Sequence, residues 1–586
     1  MSERRTLKVR EEAGDAPRIL LVREMLAAIA FIPTVLHFGW REPVLAQGTL
    51  HGIQIMALGA FAAAMIISTL RSGGRQARRQ FLIAHWAETL LVIIGAGLSW
   101  SWLGLALATS ALMVVASLRV YLLVASNKKI PPGLVFVGSF LVLIAVGTSG
   151  LMLPAATPAD QPISILDAAF TITSAISQTG LIVRPTGDGF TRFGQIIILA
   201  WIQFGALGIL VFGAVVATLL GSSFGVRATQ TLGESTEQGW SGQYSLGRLV
   251  IFIMVITHGV ELLGAIALYL TWPETWPGAP DMATAGDRFY QCAFFSVSSF
   301  CNAGFATSSN SFEGMRTNWT IHTILPMLIL LGSIGFPVLD NIVRVATARL
   351  RGTWSRGRTL IRLSVNTKIV LVTTVCLYLF GFASILLSET MLEGVPISTA
   401  ALDAHFMTFQ RTTGFDSISP NDMGELSRLT LIFLMFIGGS PGSIAGGVKV
   451  MVLAVLALTV WSTLNGRNET EAWGRRIPDE VVRKCATILA LCLTTCMVTA
   501  GILAVTEDVS EESQLAPILF EAVSAFGTTG LSMGITADLS APGRIAIMGA
   551  MFIGRVGALA IFAALFSVRP ARRVQYAYPR GDVVIY

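Results

Sequence analysis

One short motif recurs four times in this chain, each time after a stretch that could form a short apolar helix. The copies share a Gly followed by Leu or Phe, and they lie at Ser177–Leu181, Cys301–Phe305, Arg411–Phe415 and Gly527–Leu531. Six residues before each Gly stands a hydroxyl residue: Ser174, Ser298, Thr408 or Ser524. Ten residues before three of the glycines stands a Phe: Phe170, Phe294 or Phe520. Four degenerate copies in phase predict four structural repeats around one axis.

The composition places these repeats in a membrane. Only 13% of the residues are charged and 53% are hydrophobic, whereas soluble domains contain roughly 25% charged residues. Apolar runs of about twenty residues recur, each long enough to cross a bilayer as a helix; examples are 134–153, 196–220, 321–339, 369–387 and 545–566. The sequence therefore predicts an all-α polytopic membrane protein embedded in the lipid bilayer.

Basic clusters indicate how the spans are oriented. They lie at 4–10, 71–79, 128–129, 344–362, 475–484 and 569–580. Because positively charged loops stay cytoplasmic, we interpret them as topology determinants rather than as nucleic-acid-binding patches. Both termini are then predicted to be cytoplasmic, in the inner (cytoplasmic) membrane, and no nucleic-acid partner is expected.

The chain divides into an N-terminal region and four similar units. Residues 1–130 are predicted to hold about four extra transmembrane helices, and the units are 131–223, 245–349, 363–464 and 480–568, followed by a cytoplasmic tail at 569–586. Each unit has a span, a short helix with its Gly turn, and a second span, which predicts four membrane–pore–membrane repeats with pseudo-fourfold symmetry. The short segments, such as 164–177 and 513–526, are predicted to be re-entrant pore helices, since irregular backbone at membrane depth must be buried in protein or line a cavity.

The turns have the chemistry of a cation filter. A dehydrated monovalent cation needs oxygens in place of water, and backbone carbonyls around an axis supply them without fixed charge. Glycine allows the backbone to approach the ion closely. A single Gly turn is explained as well by a helix break, but four in phase favour a filter. The candidate ion-binding residues are Gln178, Thr179, Gly180, Asn302, Ala303, Gly304, Thr412, Thr413, Gly414, Thr528, Thr529 and Gly530.

A glycine-rich segment interrupts the apolar stretch 429–458. Five glycines and a proline within 438–447 exclude a regular helix there. The segment is either a kink between two helices or an intramembrane loop that obstructs a pore and moves to open it. Its candidate gating residues are Gly438, Gly439, Ser440, Pro441, Gly442, Gly446 and Gly447.

Several ionisable residues lie in the predicted spans and pore helices. A cation such as Arg555 is expensive in hydrocarbon and needs a partner or a cavity; it would either pair with a carboxylate or raise the barrier for a cation in a pore. Arg411 is predicted to be a structural anchor, and Glu521 is predicted either to be its partner or to attract cations at the pore mouth. Asp167 and Asp403 are predicted to give a pore entrance negative charge.

The four turns, the segment Gly438–Lys449 and the element Gly554–Gly557 together resemble the Trk/Ktr/HKT superfamily of potassium transporters, and within it the bacterial Ktr and Trk ion-conducting subunits. The resemblance covers about residues 131 to 568. It implies a homodimer with one pore per protomer, a separate cytosolic nucleotide-binding regulatory subunit, and a gating role for the loop and for Arg555. It also implies filter glycines at Gly180, Gly304, Gly414 and Gly530, and glycine at all four favours K+. The first turn carries Gln178 where the family more commonly has Thr.

The leading hypothesis is therefore K+ uptake by a channel-like subunit, with K+ as the transported ion, Rb+ as its close analogue, and no covalent cofactor or enzymatic activity. A Na+-conducting or Na+-coupled transporter is the first alternative. A solute transporter with broken helices usually has inverted repeats, whereas all four units here are predicted to start inside. An intramembrane serine hydrolase would use Ser440, in Gly438-x-Ser440-x-Gly442, but neither the strand-to-helix elbow nor a His base is evident.

Overall fold

The structure is a computed structural model that describes most of the chain. The described residues are 17–42, 44–71, 78–79, 81, 85–125, 132–219, 246–273, 284–308, 310–351, 362–392, 395–507 and 515–557. The predicted tail at 569–586 and the basic clusters at 4–10, 128–129 and 569–580 lie outside these residues.

Helices make up nearly all of the described secondary structure. Helices α1 to α4 are Pro17–Phe38, Gln47–Arg71, Trp86–Gly97 and Trp102–Ala125. Helices α5 to α11 are Pro132–Leu151, Ile165–Ser177, Arg192–Leu219, Leu246–Thr271, Ala285–Phe300, Trp319–Ser333 and Phe336–Leu350. Helices α12 to α18 are Val365–Thr390, Ile397–Gln410, Glu425–Phe436, Val450–Leu464, Asp479–Thr506, Leu515–Gly527 and Ala541–Val556. Strands β1 (Glu471–Ala472) and β2 (Arg475–Arg476) form an antiparallel hairpin between α15 and α16.

Several of these helices are long and apolar enough to cross a membrane. Within the described residues four meet this criterion singly, and the pair α10 and α11 meets it together. The four are Gln47–Arg71, Ile251–Thr271, Val365–Thr390 and Asp479–Thr506. Their length and apolarity agree with the predicted polytopic membrane protein.

The apolar run 321–339 is long enough for one span, but the chain bends sharply inside it. Helix α10 ends at Ser333, α11 begins at Phe336, and the two axes differ by 102°. Gly335 lies at the break with a φ of 90°, a conformation that glycine adopts at little steric cost. The bend therefore depends on a residue that the apolar pattern alone does not distinguish.

Four short helices, α6, α9, α13 and α17, lead into the glycine turns, and we call them the turn helices. Two of them begin at well-formed caps: the Ser164 hydroxyl accepts the Asp167 N–H at 3.1 Å, and Thr284 and Asp287 form a reciprocal capping box. Such caps satisfy N–H groups that a helix cannot satisfy internally. The local sequence thus defines where these helices begin.

Large aromatic rings pack around the turn helices. Phe170, Phe294 and Phe520, the phenylalanines that recur before the turns, are all fully buried. The third copy has Ala404 at this position, and Phe406 is buried two residues later. Because buried side chains are close-packed and rarely shift, these rings hold the turn helices, and hence the turns, in place.

Candidate functional site

The four glycine turns meet in a closed ring. We number them 1 to 4 along the chain, and the φ angles of Gly180, Gly304, Gly414 and Gly530 are 89°, 72°, 90° and 97°. A Cβ added to Gly180 would lie 2.6 Å from the carbonyl oxygen of Ala303 in turn 2. A Cβ on each later glycine would strike the carbonyl oxygen of the following turn, namely Thr413, Thr529 and finally Thr179 of turn 1.

This ring places one backbone carbonyl of each turn beside the glycine of its neighbour. Glycine is required at all four positions because both the positive φ and the close approach exclude a side chain. Grouped carbonyl oxygens can replace the hydration water of a monovalent cation without introducing fixed charge. The arrangement is chemically suited to binding a dehydrated cation.

The residue two positions before the glycine is left-handed in three of the turns. Gln178, Asn302 and Thr528 have φ angles of 59°, 53° and 51°. A non-glycine residue in this region costs of the order of 1–3 kcal/mol and persists only where its surroundings enforce it. Turn 3 differs, because Thr412, at the same position, does not have a positive φ angle.

The hydroxyl residues that recur before the turns hold three of them directly. Ser174 accepts the Gly180 N–H at 3.0 Å, and Ser524 accepts the Gly530 N–H at 3.1 Å. Ser298 instead donates to the carbonyl of Phe305 at 2.8 Å. Each bond ties a turn to the helix that precedes it.

Turn 3 is held by a different side chain. Its hydroxyl residue, Thr408, donates to the Ala404 carbonyl of its own helix at 2.6 Å. Gln410 takes over the role by accepting the Phe415 N–H at 3.2 Å. The sequence motif is therefore the same in all four copies, but its hydrogen bonds are not.

Side chains also join neighbouring turns. The Asn302 amide oxygen of turn 2 accepts from the hydroxyls of Thr412 at 2.9 Å and Thr413 at 3.0 Å in turn 3. The Thr529 hydroxyl of turn 4 donates to the Arg411 carbonyl at 2.9 Å. These bonds brace turns 2, 3 and 4 against one another.

Gln178, the unusual residue of turn 1, is directed at a helix. Its side-chain amide donates to the Ile202 carbonyl in α7 at 3.2 Å, and the residue is fully buried. Its Oε1 has no hydrogen-bond partner among the described residues. Gln178 thus supports turn 1 from α7, a role that the sequence alone did not indicate.

The predicted glycine-rich interruption is a non-helical loop, which we call the 437–448 loop. Helix α14 ends at Phe436 and α15 begins at Val450. Ile437 and Val448 form a parallel bridge, in which the Gly438 N–H donates to the Val448 carbonyl at 2.9 Å. The two ends of the loop, at the end of α14 and the start of α15, therefore lie side by side.

The 437–448 loop is bonded to the break between α10 and α11. The Ser440 N–H donates to the Ser333 carbonyl at 3.0 Å, and the Phe336 N–H donates to the Gly442 carbonyl at 3.1 Å. The loop also reaches the ring, since the Gly446 N–H donates to the Thr528 hydroxyl at 3.1 Å. The loop consequently lies directly against turn 4.

Two arginines, the buried Arg411 and the half-buried Arg555, bind the carbonyls of this loop. Arg555 donates to the carbonyls of Ile444 in the loop and Gly205 in α7. Arg411 donates to the Ile437 carbonyl at 2.7 Å. The predicted pairing of Arg411 with Glu521 is therefore wrong, because the Glu521 carboxylate bonds instead to the hydroxyls of Ser532 and Thr536.

The carboxylates predicted to charge a pore entrance are paired with arginines. Asp167 binds Arg544, and Asp403 accepts from Arg316 Nη2 at 2.5 Å. Their charges are thus compensated locally, so neither supplies an open negative entrance.

A third pair joins Asp287, at the start of α9, to Arg192 at the start of α7. The pKa of the Asp287 carboxyl lies below its usual value, first because Thr284 donates to it and second because Arg192 does. Sequence analysis missed these three arginines, because nothing local marks them as partners.

Sequence analysis assigned no packing role to a second set of glycines. A Cβ on Gly205, Gly332 or Gly554 would strike the carbonyl oxygen of Ile176, Phe300 or Phe526 respectively. Each of these carbonyls lies four residues before a ring glycine. Backbone-to-backbone packing of this kind is how glycine lets membrane helices approach closely. The three glycines follow the ring glycines by 25, 28 and 24 residues, so no fixed spacing marked them in the sequence.

The structure does not support the hydrolase alternative. Ser440 is buried, and its hydroxyl donates to the Ile334 carbonyl. His405 bonds to Tyr378 at 2.8 Å and to the His322 carbonyl at 3.0 Å rather than to this serine. Among the described residues no group of three or more His, Cys, Asp or Glu side chains could hold a metal ion.

Comparison with known proteins gives a consistent result. A sequence model of the TrkH family, described as cation transport protein, matches residues 133–573. The Ktr system potassium uptake protein B of Bacillus subtilis is 30% identical over 459 residues, covering 77% of this chain and 96% of that protein. The protein of the same name from Vibrio alginolyticus is 32% identical over 456 residues, covering 75% and 94%.

Two further similarities extend this result. The potassium/sodium uptake protein NtpJ of Enterococcus hirae is 29% identical over 467 residues, covering 78% of this chain and 98% of that protein. The crystal structure of the potassium transporter TrkH from Vibrio parahaemolyticus superposes with a TM-score of 0.59 at 19% identity, covering 83% of this chain and 97% of that one. The latter similarity concerns the mostly helical fold alone.

Proposed function

Since the chain belongs to the TrkH family of cation transport proteins, we propose that it is the ion-conducting membrane subunit of a potassium uptake system. Similar proteins are named as potassium uptake proteins. K+ is the transported ion, and its uptake is driven by the membrane potential, which acts at ~2.3 kcal/mol per charge per 100 mV.

The closed ring of glycine turns is the observation that carries this proposal. In the proposed architecture the turn helices are pore helices, and 131–223, 245–349, 363–464 and 480–568 are four repeats related by pseudo-fourfold symmetry. The region 1–130 adds helices outside these repeats. The ring is then the selectivity filter, formed by Gln178 to Gly180, Asn302 to Gly304, Thr412 to Gly414 and Thr528 to Gly530.

Sodium is the second candidate ion. One similar protein is named as a potassium/sodium uptake protein, and turn 1 carries Gln178 in place of a more usual Thr. The position of Gln178 favours K+. Its buried side chain is bonded to a helix and supports turn 1, and it adds no negative charge to the ring.

The 437–448 loop is the proposed gate. It contacts turn 4 through Gly446 and Thr528, so it lies where it can obstruct an ion that leaves the filter. Arg555 bonds the loop to α7 and adds positive charge beside the path. Opening then requires the loop to leave Arg555 or to move with it.

Assembly and location complete the proposal. The protein is a multi-pass membrane protein that works as a homodimer, with both termini cytoplasmic in the inner membrane. A separate cytosolic nucleotide-binding subunit regulates it. The related proteins named as parts of a Ktr system support a multi-subunit arrangement.

The direct test is cation flux into proteoliposomes that contain the purified chain, with K+, Rb+ and Na+ gradients compared. We expect K+ and Rb+ flux well above Na+ flux. A Gly180→Ser variant should reduce this preference, because its side chain meets the Ala303 carbonyl. Gly501→Ser in α16 is the matched control, since a Cβ there meets nothing within 4 Å; equal Na+ flux in the unmodified protein would contradict the K+ assignment.

A further inference from the structure

Three turn helices carry a carboxylate that is held by an arginine from the preceding unit of the chain. Asp287 of α9 binds Arg192 at the start of α7, and Asp403 of α13 binds Arg316 just before α10. Asp167 of α6 binds Arg544 of α18, which closes the series from the last unit to the first. Of the four boundaries between neighbouring units around the ring, three are thus joined by an ion pair.

The junction between the third and fourth units lacks this ion pair. Arg428 occupies the corresponding place near the start of α14, but it pairs with Glu425 at 3.2 Å and donates to the Met423 carbonyl at 3.1 Å. The carboxylate of α17, Glu521, has no arginine or lysine partner among the described residues. It is fully buried.

Glu521 instead bonds to the segment that follows turn 4. The Ser532 hydroxyl donates to Glu521 Oε2 at 2.8 Å, and the Thr536 hydroxyl donates to Oε1. Ser532 also accepts the Gly534 N–H at 3.0 Å. One carboxylate therefore bonds to both ends of residues 532–536, which begin two residues after the ring glycine Gly530.

A buried carboxylate without a cation is costly, and hydroxyl partners offset that cost only in part. The free-energy cost of burial would be lower for an amide or an apolar side chain at this position. A carboxyl group, however, offers two oxygens, and each can accept from one hydroxyl donor. This property matches the two donors that Ser532 and Thr536 provide.

We propose that Glu521 is a positioning residue for ion selection, which acts by holding residues 532–536 against α17 and thereby fixing turn 4 in the ring. The inference rests on the proposed function, since it assumes that the ring selects a cation. Turn 4 takes part in two of the four ring contacts: the Thr529 carbonyl meets Gly414, and Gly530 meets the Thr179 carbonyl. A small shift of turn 4 therefore alters half of the ring, including its closure.

The test is K+ and Na+ binding to the purified full chain in detergent by isothermal titration calorimetry, which does not require an open gate. Glu521→Gln keeps the volume but leaves one acceptor oxygen, so we expect the ratio of K+ to Na+ affinity to fall roughly fivefold, the scale of one lost hydrogen bond. Thr536→Val should lower the ratio similarly. In the double variant the ratio of K+ to Na+ affinity should be no lower than in the more affected single variant. Both substitutions interrupt the same hydrogen bond between Glu521 and Thr536, so their effects should not add.

Glu507→Gln is the matched control. Glu507 lies in the same unit and accepts from the Ser540 hydroxyl at 2.7 Å, but it caps α18 rather than contacting turn 4. This variant should lower the melting temperature without changing the ratio of affinities.

Two results would overturn the inference: an unchanged ratio of K+ to Na+ affinity in Glu521→Gln, which includes equal weakening of both, or additive effects in the double variant. If Glu521→Gln does not fold, Thr536→Val and Ser532→Ala decide by the same measurement. Failure of the unmodified protein to prefer K+ would instead contradict the proposed function, and this inference would fall with it.

Discussion

Gly530 packs against the carbonyl oxygen of Thr179, so the last glycine turn closes on the first. Without this contact the turns would form an open series in which turn 1 and turn 4 each lack a neighbour. The contact joins the first turn to the last within the matched family region. The contact between Gly530 and Thr179 is therefore what makes the four turns a closed ring.

Gly530→Ala should disrupt this closure. The added Cβ meets the Thr179 carbonyl, and the φ of 97° is unfavourable for alanine, so we expect the free energy of unfolding to fall by about 1–3 kcal/mol. The preference for K+ over Na+ should fall with it. Both are measurable, by thermal denaturation in detergent and by proteoliposome flux.

Gly549→Ala is the control for that substitution, because it lies inside α18 and a Cβ there meets nothing within 4 Å. It should leave selectivity unchanged and stabilise the helix slightly, by roughly 0.5–1 kcal/mol. Equal K+ preference in both variants would argue against a functional ring.

Arg555→Gln should raise basal flux. The substitution weakens the bonds from α18 to Ile444 and Gly205 and removes a positive charge beside the proposed path. Since hydrogen bonds from a charged donor contribute about 1.5–3 kcal/mol each, we expect an increase of roughly tenfold or more. The measurement is Rb+ flux in proteoliposomes without any cytosolic partner.

The control is Arg467→Gln, in an exposed 3.5 Å ion pair with Glu471 beside the hairpin. Exposed pairs of this kind contribute little, so flux should not change. Lower flux in Arg555→Gln than in this control would contradict a gating role for Arg555.

Asn302→Ala should loosen turns 2 and 3 together. It removes the acceptor for both Thr412 and Thr413, which we expect to cost about 2 kcal/mol of stability at roughly 1 kcal/mol per bond. Thermal denaturation in detergent measures this cost. Asn465→Ala, at an exposed helix end, should cost much less, and similar losses at the two positions would show that the inter-turn bonds are weak.

Acidification should remove the contribution of Asp287. Its pKa is lowered in the folded protein, first by Thr284 and second by Arg192, so its stabilisation is present above the ordinary carboxyl pKa. It is lost as the pH falls through the lowered value. The difference in melting temperature between the unmodified protein and Asp287→Asn should therefore be present at neutral pH and vanish in acid.

Asp188→Asn, at another exposed carboxylate, serves as the comparison for this pH series. It should show no comparable difference at neutral pH. A difference for Asp287→Asn that persists unchanged in strongly acidic solution would assign its effect to packing instead of charge.

Much of this architecture could be predicted from the sequence because it is locally encoded. A run of apolar residues specifies a span, and Gly180 and its three counterparts specify turns because their positive φ angles suit glycine. The dense glycines at 438–447 likewise excluded a helix, and a loop is found there. The sequence thus determined where the four glycine turns and the 437–448 loop lie along the chain.

Tertiary structure decided which side chains meet. Arg411 could bind a carboxylate or a set of carbonyls, and only the position of the 437–448 loop selects the Ile437 carbonyl. Asp167 and its partner Arg544 lie 377 residues apart, so no local pattern could pair them. Hydrogen bonds and ion pairs act over a few ångströms, and the elements that come within that distance are chosen by how the helices pack around the ring.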